Sequence, residues 1–127
     1  DGTRRMLVLG PLPKFARTDP LNCIDLSEAL GFSTDRCGVP RAEEDARRAK
    51  TVAIMRGIVA EFPNARFVDP VEVFCDARIC LPQKNGAIAF FDDHHVNAIG
   101  ARAVYDAFRG DFAWAFGTTP TAGQPAP

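Results

Sequence analysis

Serine is scarce in this chain: Ser27 and Ser33 are the only two among 127 residues, and both lie in one short stretch. Long apolar runs are missing as well. The longest, such as "MLVLG" and "VAIM", fall far short of the roughly 20 residues that cross a bilayer, and the amino terminus lacks a cationic-then-apolar leader pattern. Neither sign of charge is in excess. With 15 basic against 16 acidic side chains and a net charge of −1, there is no broad electrostatic case for nucleic acid or an anionic membrane. What is present is a hydrophobic fraction of 46%, enough for a modest core in a single soluble domain.

The four cysteines, Cys23, Cys37, Cys75 and Cys80, are spaced C-x13-C and C-x4-C with turn-forming residues between them. They allow three pairings, and free buried thiols are the alternative to any of them. A zinc site is disfavoured because no CxxC pair and no His-x3-5-His spacing occurs. Two local bridges, Cys23–Cys37 and Cys75–Cys80, are the expectation, and they imply an oxidising compartment.

Along the chain, "RMLVLGPLP" reads as a strand buried on both faces that ends at Gly10, Pro11 and Pro13. Residues 14–40 read as an irregular excursion with at most a short helix around 26–30. A clear helix follows from Pro40, with Glu43, Glu44 and Asp45 near its positive end and Arg47, Arg48 and Lys50 further in. These charges read as a solvated face. The expected buried stripe is Ala49, Val52, Ala53, the stem of Arg56, Val59, Ala60 and Phe62. "ARFVDP" reads as a second buried strand, "VEVFC" as a turn or short helix, and Asn85-Gly86 as a turn into a short strand. A last helix is expected over 97–108, its apolar side formed by Ile99, Ala103, Val104, Ala107 and Phe108. The order of elements suits an α/β layered fold. Residues 117–127, small and proline-rich, read as a disordered tail.

Both histidines of the chain stand in "FFDDHHVNAIGA", residues 90–101. A histidine held at one ring nitrogen by a carboxylate can act as general base and then general acid near neutral pH. Asp92 and His95 have the D-x-x-H spacing for this, and Asp93 and His94 are expected to point elsewhere. Three other readings stand beside it. One aspartate, or Asn97, could cap the following helix; the run could be a surface turn; or it could bind a metal, although the spacing is not a familiar one.

The block "FFDDHHVNAIGARAV" resembles the last sequence block of SGNH hydrolases. It is most similar to the extracytoplasmic SGNH domains fused to family 3 membrane acyltransferases, which O-acylate surface glycans. There the block commonly reads Y-x-D-x-x-H-L-S-x-x-G-A, and here Val96-Asn97 stands for the Leu-Ser pair. "VLGPLP" resembles that family's strand with a proline turn, and "FVDPVEVFCDARIC" its Asp-Pro strand end followed by two close cysteines, so the likeness runs from Arg5 to Phe108.

The resemblance implies an α/β fold of the SGNH, flavodoxin-like three-layer type with a short parallel sheet, incomplete in this chain, over residues 1–116. It implies His95 as catalytic base and Asp92 as its orienting partner, with no metal or organic cofactor. The family's serine block and its oxyanion-hole glycine and asparagine blocks are not found here. The chain is therefore expected to be the carboxyl-terminal portion of a larger domain, with a natural short relative that lost the nucleophile as the alternative, and to be inactive alone. The implied whole is an O-acyltransferase acting on a cell-surface polysaccharide, tethered to the membrane, with this domain on the periplasmic or cell-surface side. The implied partners are a membrane acyltransferase domain and a glycan, not nucleic acid. A secreted esterase or carbohydrate deacetylase, or a non-catalytic glycan-binding module of the same fold, are the other readings.

Overall fold

The computed structural model describes residues 4–15 and 19–118. The expected tail at 117–127 therefore lies almost wholly outside the described residues. A short strand, β1 (Met6–Leu9), pairs in parallel with β3 (Ala65–Val68), in a register that sets Met6 opposite Ala65 and Leu9 opposite Val68. Between them run two helices, α1 (Pro20–Leu30) and α2 (Arg41–Ala60). The two-residue strand β2 (Val39–Pro40) precedes α2 and pairs antiparallel with β4 (Ile79–Cys80). After β3 come α3 (Val71–Phe74), then β4, then a hairpin of β5 (Gln83–Lys84) and β6 (Ala87–Ile88), and finally α4 (Ala98–Ala107) and α5 (Arg109–Phe116). The result is a mixed α/β fold with a short parallel sheet, as expected.

β1 differs from its expectation. Met6 is 51% and Leu9 40% exposed, because among the described residues β1 has a single neighbouring strand. The irregular excursion is also more ordered than the sequence reading allowed. Asp19 caps α1 by accepting from the backbone amides of Leu21 and Asn22, Pro20 sits in the first turn, and Gly31 closes the helix at φ 69°. Ile24 and Ser27 point inward, and Ser27 donates through Oγ to the carbonyl of Cys23 at 2.7 Å. The Cys23–Cys37 bridge, with Cα atoms 5.7 Å apart, ties α1 to the turn that follows, and Cys75–Cys80 closes the loop between α3 and β4. Both pairings match the expectation.

The hairpin turn is built by Asn85 at φ 51° and Gly86 at φ 78°, two successive left-handed residues as a tight two-residue hairpin requires. α4 starts at Asn97, whose side chain accepts from the amides of Ile99 and Gly100 and so satisfies two donors that the first turn cannot. Of its expected apolar side, Val104 is buried and Ala103 and Phe108 pack on the core, while Ile99 is 47% exposed. α5 was not expected. Its Trp114 lies under the guanidinium of Arg66 at 4.2 Å, and its backbone carbonyl at Trp114 accepts from Arg5, which docks the helix on the β1 side of the sheet.

The core is centred on Phe90, which meets Phe15 and Phe74 edge to face with ring centroids 5.0 and 4.9 Å apart. Val39, Val71, Val73, Ala89, Val104 and both sulfurs of the second bridge complete it. Gly100 packs so closely on the Ala89 carbonyl and on Val96 that a Cβ there has no room.

The largest departure concerns α2. Its inward residues are Glu44 and Arg48, both nearly fully buried, followed by the half-buried Val52, Met55 and Val59. Ala49, Ala53 and Ala60 are exposed, as are Ile54, Ile58 and Phe62, so the helix is turned by nearly one residue position from the expected stripe. The cause is a polar network. Arg48 donates through Nε to the Pro11 carbonyl at 2.9 Å and through Nη2 to Asp69, and it lies 3.9 Å from the Glu44 carboxylate. Glu44 is in turn bonded by Arg47, which also reaches the Leu12 carbonyl at 3.0 Å. Every charge in the group is paired, which is the condition under which burial is tolerated. Truncating Arg48 to Ala leaves Glu44 and Asp69 without their buried cation. Chemical denaturation is expected to show a loss of about 3–5 kcal/mol, against less than about 0.5 kcal/mol for an exposed control such as Lys50→Ala.

Candidate active site

The C-terminal ends of β1 and β3 lie side by side, and the chain leaving β1 turns through Gly10, Pro11, Leu12 and Pro13 to Phe15. In open α/β sheets this is the end where ligands bind. Arg47 and Arg48 hold the carbonyls of that turn, and the amide of Phe15 then donates to the carbonyl of Asp93 at 2.7 Å. The Asp-Asp-His-His run is thereby seated against the exit of β1.

The run itself is a closed turn. Phe90 and Val96 form an antiparallel bridge, the amide of Phe91 donates to His95 O at 3.0 Å, and the amide of Asn97 donates to Ala89 O at 3.0 Å. Buried Phe90 anchors one side and Asn97, at the start of α4, the other. Inside the turn, Asp92 Oδ1 accepts from the amides of His94 at 2.9 Å and His95 at 2.6 Å. Its other oxygen, Oδ2, lies 2.6 Å from Nδ1 of His95. With the proton on Nδ1, His95 donates to Asp92 and leaves the lone pair of Nε2 free.

Hydrogen bonding from the His94 amide is the chief reason the Asp92 carboxyl is held down to about 2, with the His95 side chain and amide adding to it against a desolvation that acts the other way. Asp92 does not cap α4, a task that belongs to Asn97. The dyad expected from the D-x-x-H spacing is thus in hydrogen-bonding contact.

Asp93 and His94 do not point elsewhere, contrary to expectation. His94 Nδ1 lies 2.5 Å from Asp93 Oδ1 and 3.7 Å from Asp92 Oδ1, and its ring centroid is 3.8 Å from that of His95. The separation rule for helices fails here because residues 91–94 form a bend rather than a helical turn. Asp93 also faces the Lys14 ammonium at 4.0 Å. The side of His95 is flanked by Phe91, stacked nearly parallel at 5.6 Å and itself 56% exposed. Neither serine serves this dyad. Ser27 is buried on α1 beside the Cys23–Cys37 bridge, and Ser33 caps the 34–37 turn by accepting from the Asp35 amide.

The buried Glu44 and Arg48 and the half-buried Asp69, which support the site, were missed by sequence reasoning. The available signal was the four-residue spacing of Glu44 and Arg48 together with Asp69 at the end of a strand.

A family model described as SGNH domain (fused to AT3 domains) matches residues 1–110. This chain belongs to that SGNH domain family. The family is acyltransferase-associated, being fused to AT3 domains. No curated relative and no solved structure matches the chain. Among the described residues, no helix of this SGNH domain is long and apolar enough to cross a membrane.

Because the folded-state value of Asp92 lies below the ordinary carboxylate value of about 3.9, its bonds stabilise the turn fully above that pH and are lost as pH falls through about 2. An NMR titration is expected to place the Asp92 carboxyl midpoint near 2, with the His94 and His95 amide shifts following it. In Asp92→Asn both amides should cease to titrate over that range.

Proposed function

We propose that this chain is the carboxyl-terminal part of an SGNH O-acyltransferase domain that works on a cell-surface glycan. His95 is the general base and acid, and Asp92 holds its ring. The serine they serve lies outside this chain, in the same parent protein. In the complete site His95 Nε2 takes the serine proton as the serine attacks the acyl carbonyl of a donor delivered by the membrane acyltransferase domain, and gives it to the departing donor group. It then takes the proton of the sugar hydroxyl that attacks the acyl-serine, and returns it to the serine oxygen as that leaves. Asp92 stabilises the imidazolium that forms between these steps.

The observation that carries this reading is the 2.6 Å contact from Asp92 Oδ2 to His95 Nδ1, on a turn at the strand ends of a domain whose family is fused to AT3 domains. The exposed Phe91 ring beside His95 offers the flat apolar face on which a sugar ring stacks. Two disulfides support placement outside the cytoplasm, on the periplasmic or cell-surface side of a membrane-tethered parent.

In the parent protein, Asp92→Asn is expected to lower kcat for acyl transfer by about 10³–10⁴-fold, and His95→Ala by at least as much. Unchanged turnover in both variants sinks the dyad and favours a non-catalytic glycan-binding role. The 127-residue chain alone is expected to leave an activated acetyl ester intact; turnover abolished by His95→Ala would show that it carries its own nucleophile. For the compartment, non-reducing peptide mapping of the parent protein from its native source is expected to recover Cys75 joined to Cys80 and Cys23 joined to Cys37. Free thiols at all four positions count against the extracytoplasmic placement.

A further inference from the structure

We infer that the turn formed by Asp92, His94 and His95 is also a binding site for a borderline divalent cation such as Zn²⁺, and that its occupancy takes His95 out of acid–base service. The second half rests on the reading of His95 as the base; the first does not.

One ligand atom from each of the three side chains lies within 4.8 Å of the others. Two of the separations decide the matter. Asp92 Oδ2 to His95 Nδ1 is 2.6 Å, and Asp92 Oδ1 to His94 Nδ1 is 3.7 Å. Neighbouring ligands around a tetrahedral ion with bonds of roughly 2.0–2.1 Å sit about 3.3 Å apart. The two pairs, one on each Asp92 oxygen, fall on either side of that spacing, so a small turn of the carboxylate and the rings brings one oxygen and both nitrogens onto a shared ion. Both rings are about half exposed, with side-chain values of 49% for His94 and 56% for His95, which leaves them room to rotate and leaves open positions for water. The Asp93 carboxylate, 2.5 Å from His94 Nδ1, adds a second negative charge, and Lys14 at 4.0 Å only partly offsets it. Two imidazoles with one carboxylate favour zinc, nickel or copper, whereas magnesium and calcium require mostly oxygen ligands.

The consequence for the dyad follows from imidazole chemistry. A neutral ring that coordinates through Nδ1 carries its proton on Nε2. That nitrogen then has no lone pair for a hydroxyl proton, and Asp92 is engaged by the ion instead of by His95. Metal occupancy and general-base function are mutually exclusive, and His94 is the residue that belongs to the first and not to the second.

Calorimetric titration of the chelator-stripped 127-residue chain with ZnCl₂ is expected to show one ion per chain. The affinity should fall at least about tenfold in His94→Ala, and MgCl₂ should give no saturable heat. Absence of saturable Zn²⁺ binding, or binding unaltered in His94→Ala, overturns the site. In the parent protein, Zn²⁺ should inhibit acyl transfer reversibly by chelator, and His94→Ala should need at least about tenfold more Zn²⁺ for the same inhibition. Binding that leaves wild-type transfer untouched overturns the regulatory half. If the parent shows no His95-dependent transfer, the catalytic reading and the regulatory half fall together, while calorimetry still decides the site itself.

Discussion

One buried guanidinium organises this domain. Arg48 stands where the two parallel strands end, bonded to the Pro11 carbonyl just past β1 and to the Asp69 carboxylate just past β3, with Glu44 beneath it. A cation removed from water demands that each partner be in place at once. The demand fixes the rotation of α2, the course of the chain leaving β1 and the junction between β3 and α3, where Asp69 also accepts from the Val71 amide at 3.2 Å. A hydrophobic stripe on α2 alone would have left all three free to slide.

From that point the constraint passes to the site through apolar contacts. The held turn after β1 delivers Phe15 to Phe90, and Phe90 opens the Asp-Asp-His-His turn. On the far side, Asn97 grips the same turn from α4, its side chain donating to the Ile88 carbonyl at 2.8 Å while accepting from two helix amides. The dyad is exposed, yet the backbone that carries it is clamped between a buried ring and a capped helix. Precise placement of solvent-facing side chains needs such rigidity beneath them.

Much of this was legible in the residues themselves. The D-x-x-H spacing, the Asn97 cap, the Asn85-Gly86 turn and both cysteine pairings are local features, each set by a few neighbours, and each appears in the fold. Asp19-Pro20 and Gly31 were equally local start and stop signals for α1, and they were outweighed by the scatter of turn-formers around them. The rest was illegible for a physical reason. That Glu44 and Arg48 face inward depends on carbonyls at Pro11 and on Asp69, more than twenty residues away on either side, and helical periodicity records only apolar residues. The mutual approach of His94 and His95 depends on a bend whose shape comes from Asp92 accepting two successive amides.

Gly100 carries a last consequence. The first turn of α4 rests directly on the Ala89 carbonyl and on Val96, the two ends of the stretch that contains the dyad. Even a single methyl group at this position collides with the Ala89 carbonyl and the Val96 side chain, while the two histidines it supports are exposed and meet no such steric limit. The least chemically active residue of the block is the one whose replacement the architecture can least absorb.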